Sequence, residues 1–353
     1  MSYIIDKHED TELYFTLQNV EISFANAIRR SILSMIPVVG LKTEPYEVNE
    51  MIIHKNTTRL NNEIMKHRLS CVPIHLYPDD DISRYLVTMH VKNDSDNIVD
   101  ITTEDLLIKD IKTDKYVTEE ERNRIFPADP ITKEYILLTK LYPRVHLTSE
   151  MEELHLECPM KICYAHESGV YNATSTCSYG FTPNPVKQKQ EWDKVKHIEN
   201  DKINWYLHDG KRYFKDKSYD FRIESVGVYS NTEIVQISIQ MIVKKLKLYL
   251  EKVQNRRLVI NDGDTVEASF DIQIPNDNYT IGKLIENTLY VLHYQQSGVL
   301  SYVAYKKLHP HIDYSVIRLI FKEEHVDVSN IYKLLFESIQ YIIQMYEKIL
   351  KEI

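Results

Sequence analysis

Between Val20 and Leu41 the chain reads VEISFANAIRRSILSMIPVVGL, and its apolar positions recur at three- and four-residue steps. Phe24, Ala27, Ile28, Ser31, Ile32, Met35 and Ile36 share one face, which predicts an amphipathic helix with Ser23 as N-cap and Pro37 as its stop. Ahead of it, Leu13–Leu17 has the apolar, aromatic and β-branched character of a strand. The same unit returns toward the other end. Ala268–Ile274 predicts a strand, and Ile281, Leu284, Ile285, Thr288, Leu289 and Leu292 form a second helical stripe. Two helices with wide apolar faces need a surface to bury against, and the economical surface is each other. The expected core of that pairing sets Phe24, Ile28, Ile32 and Met35 against Ile281, Leu284, Ile285 and Leu289.

The intervening pattern divides the chain. From 44 to 215 the sequence is more polar, with alternation over Tyr85–Val91, acidic turns at Asp79–Asp81 and Asp94–Asp96, and prolines at 127, 130, 143, 159, 183 and 185. That region predicts an inserted, mostly β domain. Order of the first kind resumes over 216–254. Phe221–Val226 reads as a strand, Ser230 and Glu233 as a capping box, and Val235, Ile239, Ile242, Leu246, Tyr249 and Val253 as the stripe of a helix over 232–253. Residues 255–266 look like a linker. Over 267–353 the strand and helix are followed by strands at Val299–Tyr305 and Tyr314–Phe321 and by a helix over 329–351. Each half thus supplies a strand and helix, further strands and a long closing helix. The expected architecture is α+β: a pseudo-twofold pair of α/β halves, 1–43 with 216–254 and 267–353, one of them interrupted by the insert.

Composition narrows the function. A chain of 353 residues with 43% hydrophobic content can bury a sizeable core. Its formal net charge of -9 argues against a dedicated nucleic-acid binder, which needs clustered Lys and Arg for phosphates. The start is charged within a few residues and no apolar run approaches a membrane span, so a soluble intracellular protein is expected. Four cysteines fit a reducing compartment better than a disulfide framework. Among eight glycines the closest pair, Gly169 and Gly180, is too far apart for a Rossmann fingerprint or a P-loop.

Three blocks carry a family resemblance. Phe24–Leu33 followed by Ile36-Pro37 resembles the signature helix of the α-like assembly subunits of cellular DNA-directed RNA polymerases: bacterial alpha, its archaeal D counterpart and the third subunit of eukaryotic polymerase II. Asn56–Glu63, then His67–Ser70 and Val72-Pro73-Ile74, is similar to the same family's segment at the start of its insert domain. Asn278–Leu284, then Val303–Lys306 and His309-Pro310, resembles the smaller partner, the archaeal L protein and the eleventh eukaryotic subunit. Those partners are usually separate chains, and their fusion here is similar to that in large cytoplasmic DNA viruses. Residues 95–135 and 183–215 are the stretches that the resemblance leaves blank.

The resemblance implies a noncatalytic scaffold with the fold of the bacterial alpha N-terminal domain, whose two halves dimerise within one chain and recruit the two large polymerase subunits alongside other small ones. DNA would be met only through the complex, no membrane is involved, and a viral member would work in the host cytoplasm or the virion. Arg29 and Arg30 lie roughly 100° apart on the predicted helix, so at least one guanidinium is expected to face outward, where its fork suits a carboxylate or carbonyl. Asn26 stands beside the apolar stripe, placed to hydrogen-bond across it. Glu63 and His67 are i,i+4 neighbours suited to local support of a short helix. The expected partner interface is Asn26, Arg29, Arg30, Asn56, Thr58, Glu63, His67 and Arg68.

Some relatives carry zinc or an iron-sulfur cluster on insert cysteines. Cys158, Cys163 and Cys177 here lack paired short spacings, Cys71 stands alone, and Asp79–Asp81 reads as a solvated acidic turn, so no metal or other cofactor is expected. No catalytic residues are assigned. The competing readings are a free-standing interaction module of the same fold and a hydrolase using Cys163 and His166 as nucleophile and base.

Overall fold

A computed structural model describes residues 2–8, 12–144, 146, 150–195, 201–263, 266–275, 279–323 and 325–353. Asp264 and Asn278 of the expected linker and third block lie outside them. The helices, in chain order, are α1 (Ile22–Ser34), α2 (Asn62–Ser70), α3 (Glu119–Ile125), α4 (Pro185–Lys194), α5 (Lys202–Leu207), α6 (Asn231–Gln254), α7 (Tyr279–Leu289) and α8 (Val328–Leu350). With antiparallel sheets throughout, the chain is α+β. It divides into two compact units, 1–33 with 174–225 and 230–353, and 34–173 with 226–229.

The first unit holds two four-stranded antiparallel sheets. One has the order Ser2–His8, Glu12–Gln18, Phe214–Ser225, Thr174–Pro183. In its middle pair Leu13, Phe15 and Leu17 face Ile223, Phe221 and Tyr219 in register, and the rings of Phe15 and Phe221 stack at 4.7 Å. The other runs Ile260–Asp262, Ser269–Pro275, Tyr314–Phe321, Leu300–Lys306. Its buried Phe270 and Ile272 pair with Leu319 and Ile317. α6 packs on the first sheet, α7 on the second, and α8 against both α6 and α7.

Local chemistry sets the helix ends. Ser230 and Glu233 close the anticipated capping box at the start of α6, and Asp327 caps α8. Gly282 is required by close approach: a Cβ there would lie 1.9 Å from the Tyr305 ring.

Seven of the eight residues expected in the helix pairing are buried: Phe24, Ile28, Ile32, Ile281, Leu284, Ile285 and Leu289. Met35 departs from expectation, as it is half-buried and lies beyond α1. Pro37 drives Ile36 toward extended backbone, so the helix stops short of both and Pro37–Leu41 continues as a strand. Ser23 is not the N-cap; it sits inside α1, where its Oγ accepts a 3.0 Å hydrogen bond from Asn287 Nδ2. Leu292 belongs to a π-turn, Tyr290–Gln296, that follows α7. The stretch expected as a linker contains Ile260–Asp262, paired with Phe270–Ile272. Residues 174–215, expected in the insert, fall in the first unit because Thr174–Pro183 pairs along Phe214–Ser225.

The second unit is organised on one twelve-residue strand, Glu153–Tyr164. It pairs with Pro37–Leu41 along its later half and with Ile52–Asn56 and Tyr85–Lys92 along its earlier half. Leu154, Leu156, Cys158 and Met160 point into a core shared with Met65 and Leu69 of α2, while Glu153, His155 and Glu157 occupy the other face.

Candidate interaction surface

On α1 the Asn26 side chain does not reach across the apolar stripe. Its Oδ1 accepts from Arg29 Nε at 3.1 Å, one turn away on the same helix. Arg30 Nε instead donates to Thr280 Oγ1 of α7 at 2.8 Å. The two adjacent arginines therefore have different tasks. Arg30 joins segments 250 positions apart in the sequence, whereas Arg29 has no ion pair among the described residues and is held half-buried by Asn26. The Arg29 charge also favours the ionised forms of Cys177 and Tyr179, although burial outweighs it and pushes the Cys177 thiol up to about 12. Of the pair, Arg30 is the one bonded to another segment, and the bond of Arg29 to Asn26 stays within its own helix.

In the second unit, the Asn56–Arg68 segment folds around one amide. Asn56 Nδ2 donates to the Leu60 carbonyl at 2.9 Å and to Asn62 Oδ1 at 2.8 Å, while its Oδ1 accepts from the Thr58 amide and hydroxyl. Asn61 then caps α2 by accepting from Ile64 N. Asn56 and Thr58 consequently shape the loop. Glu63, His67 and Arg68 are exposed on α2. No hydrogen bond or ion pair joins Glu63 to His67 among the described residues, whereas Arg68 Nη2 donates to the Leu137 carbonyl at 2.7 Å. Arg59 lies over the Tyr142 ring at 4.1 Å. Arg59, Arg68, Lys140 and Tyr142 line a shallow cavity of about 220 Å³. Lys140 and Tyr142 were absent from the sequence expectation: the cavity forms only when 137–142 folds beside α2, and no local spacing announces that.

The outer face of the long strand carries further charge. The imidazoles of His54 and His90 flank His155, each at 4.5 Å between ring centroids, and His90 Nε2 lies 2.8 Å from Glu153 Oε1. A hydrogen bond from Lys55, followed by the one from His90, holds the Glu153 carboxyl down at about 2. Because its folded pKa is depressed, the stabilisation is present above the ordinary carboxylate range and is lost as pH falls through about 2. Glu153→Gln is expected to lower the melting temperature at pH 6 and to converge on wild type as acid approaches pH 2. A difference that stays constant over that range would contradict the assignment.

The candidate metal and nucleophile positions have other partners. No group of three or more His, Cys, Asp or Glu that could hold a metal ion occurs among the described residues. Asp80 accepts from Tyr77 N, and Asp81 pairs with Lys112 and Ser83, which keeps its carboxyl below the usual range. Cys163 is buried, its Sγ directed at the Lys161 carbonyl, and burial pushes its thiol up to about 11. His166 Nδ1 contacts the Ser34 carbonyl instead. A raised thiol pKa is the reverse of what a cysteine nucleophile requires. Iodoacetamide at pH 8 is expected to label the exposed Cys71 alone in the native chain and all four cysteines after denaturation. Rapid native labelling of Cys163 would contradict this environment.

Residues 14–246 match the model of the RNA polymerase Rpb3/Rpb11 dimerisation domain. The chain belongs to this family. It is similar to the DNA-directed RNA polymerase subunit Rpo3 of Pyrococcus furiosus, 24% identical over 272 residues that cover 71% of this chain and 96% of that one. Its likeness to Rpo3 of Pyrococcus horikoshii is 22% over 276 residues, with the same coverage. A shorter stretch is similar to the human DNA-directed RNA polymerases I and III subunit RPAC1, 30% over 70 residues, or 20% of this chain and 18% of that one. The Rpb3/Rpb11 match takes in α1, the whole of 34–173 and the first two-thirds of α6. Among the described residues no helix is long and apolar enough to cross a membrane.

Proposed function

We propose that this Rpb3/Rpb11-family chain is a noncatalytic assembly platform of a multisubunit DNA-directed RNA polymerase. In this reading 1–33, 174–225 and 230–254 form the larger dimerisation half and 267–353 the smaller one. The two close on each other as an intramolecular pseudo-heterodimer, and the unit containing 34–173 is the insert. The observation that carries the reading is the family match over 14–246. Contacts between segments far apart in the chain support the closure: Tyr346 Oη donates to the Phe24 carbonyl at 3.2 Å, Arg30 to Thr280, and Asn287 to Ser23. The platform recruits the two large subunits, meets DNA only through them, and replaces a pair of separate small subunits by a single chain. A viral source, with the host cytoplasm and virion as its locations, belongs to the same reading.

Arg29 and the cationic surface around Arg59 and Arg68 are the proposed partner anchors, in keeping with the weight arginine carries at interface hot spots. Arg29→Ala keeps a good helix former on α1 and removes a guanidinium that makes no ion pair among the described residues. Capture of the large subunits from a coexpression lysate is expected to drop severalfold with the melting temperature near wild type. Arg30→Ala is expected to behave differently, lowering the melting temperature by removing the bond to Thr280. Undiminished capture by Arg29→Ala would take that residue out of the interface. The free-standing module is separated from this reading by copurification, which yields polymerase subunits in one case and none in the other.

A further inference from the structure

The shallow cavity beside α2 is lined by two arginines and a lysine, and by no carboxylate of the described residues. In a chain of net charge -9 that is a local excess of the opposite sign. The three cations are not equivalent. Lys140 Nζ lies 2.9 Å from Asp100 Oδ1 on the paired strand, so its charge is already answered. Arg59 and Arg68 are exposed and make no ion pair among the described residues. Each is nevertheless held in place. The Arg59 guanidinium rests over the Tyr142 ring at 4.1 Å, and Arg68 Nη2 donates to the Leu137 carbonyl at 2.7 Å. Glu152, which also touches this segment, accepts from the Tyr142 amide at 2.7 Å.

Two oriented guanidinium groups at one cavity present forks of N–H donors, and the ligand that matches such a fork is an oxyanion. The walls narrow its source. Leu60, Leu137 and Leu138 line the same space, which suits the methylene stem of a glutamate or aspartate side chain. A nucleic-acid strand brings no such stem beside its phosphates and needs a longer cationic track than one cavity of about 220 Å³. A free small acid fits poorly for another reason. Sites for small molecules enclose most of the ligand, whereas this one is open, so a tight occupant must make further contacts outside it. A polypeptide carrying the carboxylate supplies them.

We infer that this cavity receives a glutamate or aspartate side chain from an acidic segment of a partner polypeptide, its carboxylate taken by the guanidinium groups of Arg59 and Arg68 and its stem lying on the leucines. That the partner is another polymerase subunit rests on the proposed assembly function, whereas the carboxylate site itself does not. The test uses the full wild-type chain with 15N-labelled arginine, so that no substitution can disturb folding. Acetyl-Ala-Glu-Ala-amide is expected to shift the Nε–H resonances of Arg59 and Arg68 saturably in the millimolar range at low salt. Its glutamine counterpart is expected to bind at least about tenfold more weakly, the equivalent of one charge-assisted hydrogen bond. Acetate, which has the carboxylate without the stem, is expected to bind more weakly than the glutamate peptide. Unmoved resonances at tens of millimolar peptide, or equal binding of the glutamine peptide, would refute the site and leave the assembly proposal standing, since no polymerase subunit takes part. Equal binding of acetate would reduce the cavity to an adventitious ion only. Tighter binding of inorganic phosphate or of a single-stranded oligonucleotide would assign the arginines to a phosphate ligand and overturn the partner polypeptide.

Discussion

Ile28→Asp is expected to abolish the folded state of the first unit. Ile28 is 1% exposed, among the buried residues of α1. Burying a carboxylate there costs several kcal/mol whether it stays charged or takes up a proton, against a net stability of about 5–15 kcal/mol for a typical domain. Both tryptophans of the chain, Trp192 and Trp205, lie in the first unit, so their fluorescence reports its unfolding directly. The variant is expected to show unfolded-like emission without denaturant, or to be recovered only as insoluble protein. Ile28→Val, which removes one methyl from the same site, should cost about 0.5–1.5 kcal/mol and keep a cooperative transition. A folded Ile28→Asp chain with a near-normal midpoint would show that α1 is not buried as described.

The next largest effect is expected at Tyr346. Its side chain is fully buried on α8, its ring centroid is 5.2 Å from that of Phe24, and its hydroxyl donates to the Phe24 carbonyl. It therefore joins the last helix to the first by packing and by a hydrogen bond at once. Tyr346→Ala should cost about 3–5 kcal/mol, since it forfeits the buried area and leaves a cavity. Tyr346→Phe keeps the ring and should cost only about 0.5–1.5 kcal/mol. The difference between the two variants, read from denaturant midpoints by tryptophan fluorescence, separates packing from hydrogen bonding. Equal and small losses would mean that the two ends of the chain do not depend on this contact.

The sequence disclosed most where a regular period coincided with burial. The stripe on α1 contains Phe24, Ile28 and Ile32, all buried, and the strand Tyr314–Phe321 has the bounds that its alternation suggested. Periodicity was least informative at ends and exceptions. Ser23 has the chemistry of a cap, yet tertiary contact with Asn287 uses it inside the helix. Met35 continued the α1 spacing past the point where Pro37 had already turned the backbone. The limits of the region after Glu44 were hidden for a different reason. Pairing of Thr174–Pro183 with Phe214–Ser225 leaves no mark on either segment alone, because sheet partners across a long connection share no local spacing.

The candidate surface was legible in part for similar reasons. Residue types marked Arg29 and Arg30 as interface material, but only the fold separates them, Arg30 being bonded to Thr280 and Arg29 to Asn26. Asn56 and Thr58 are consumed in forming their own loop, a role that a polar run of Asn, Thr and Arg does not distinguish from recognition. Arg59 and Lys140 come together only through the fold.

The most direct test of the assembly-platform proposal is native mass spectrometry of the full chain purified with its partners from its source. The account predicts one copy of this chain bound to two large polymerase subunits, with no separate small chain occupying the place of 267–353. Recovery of the chain alone, or of a complex in which a second copy or another small dimerisation subunit completes the platform, would contradict it.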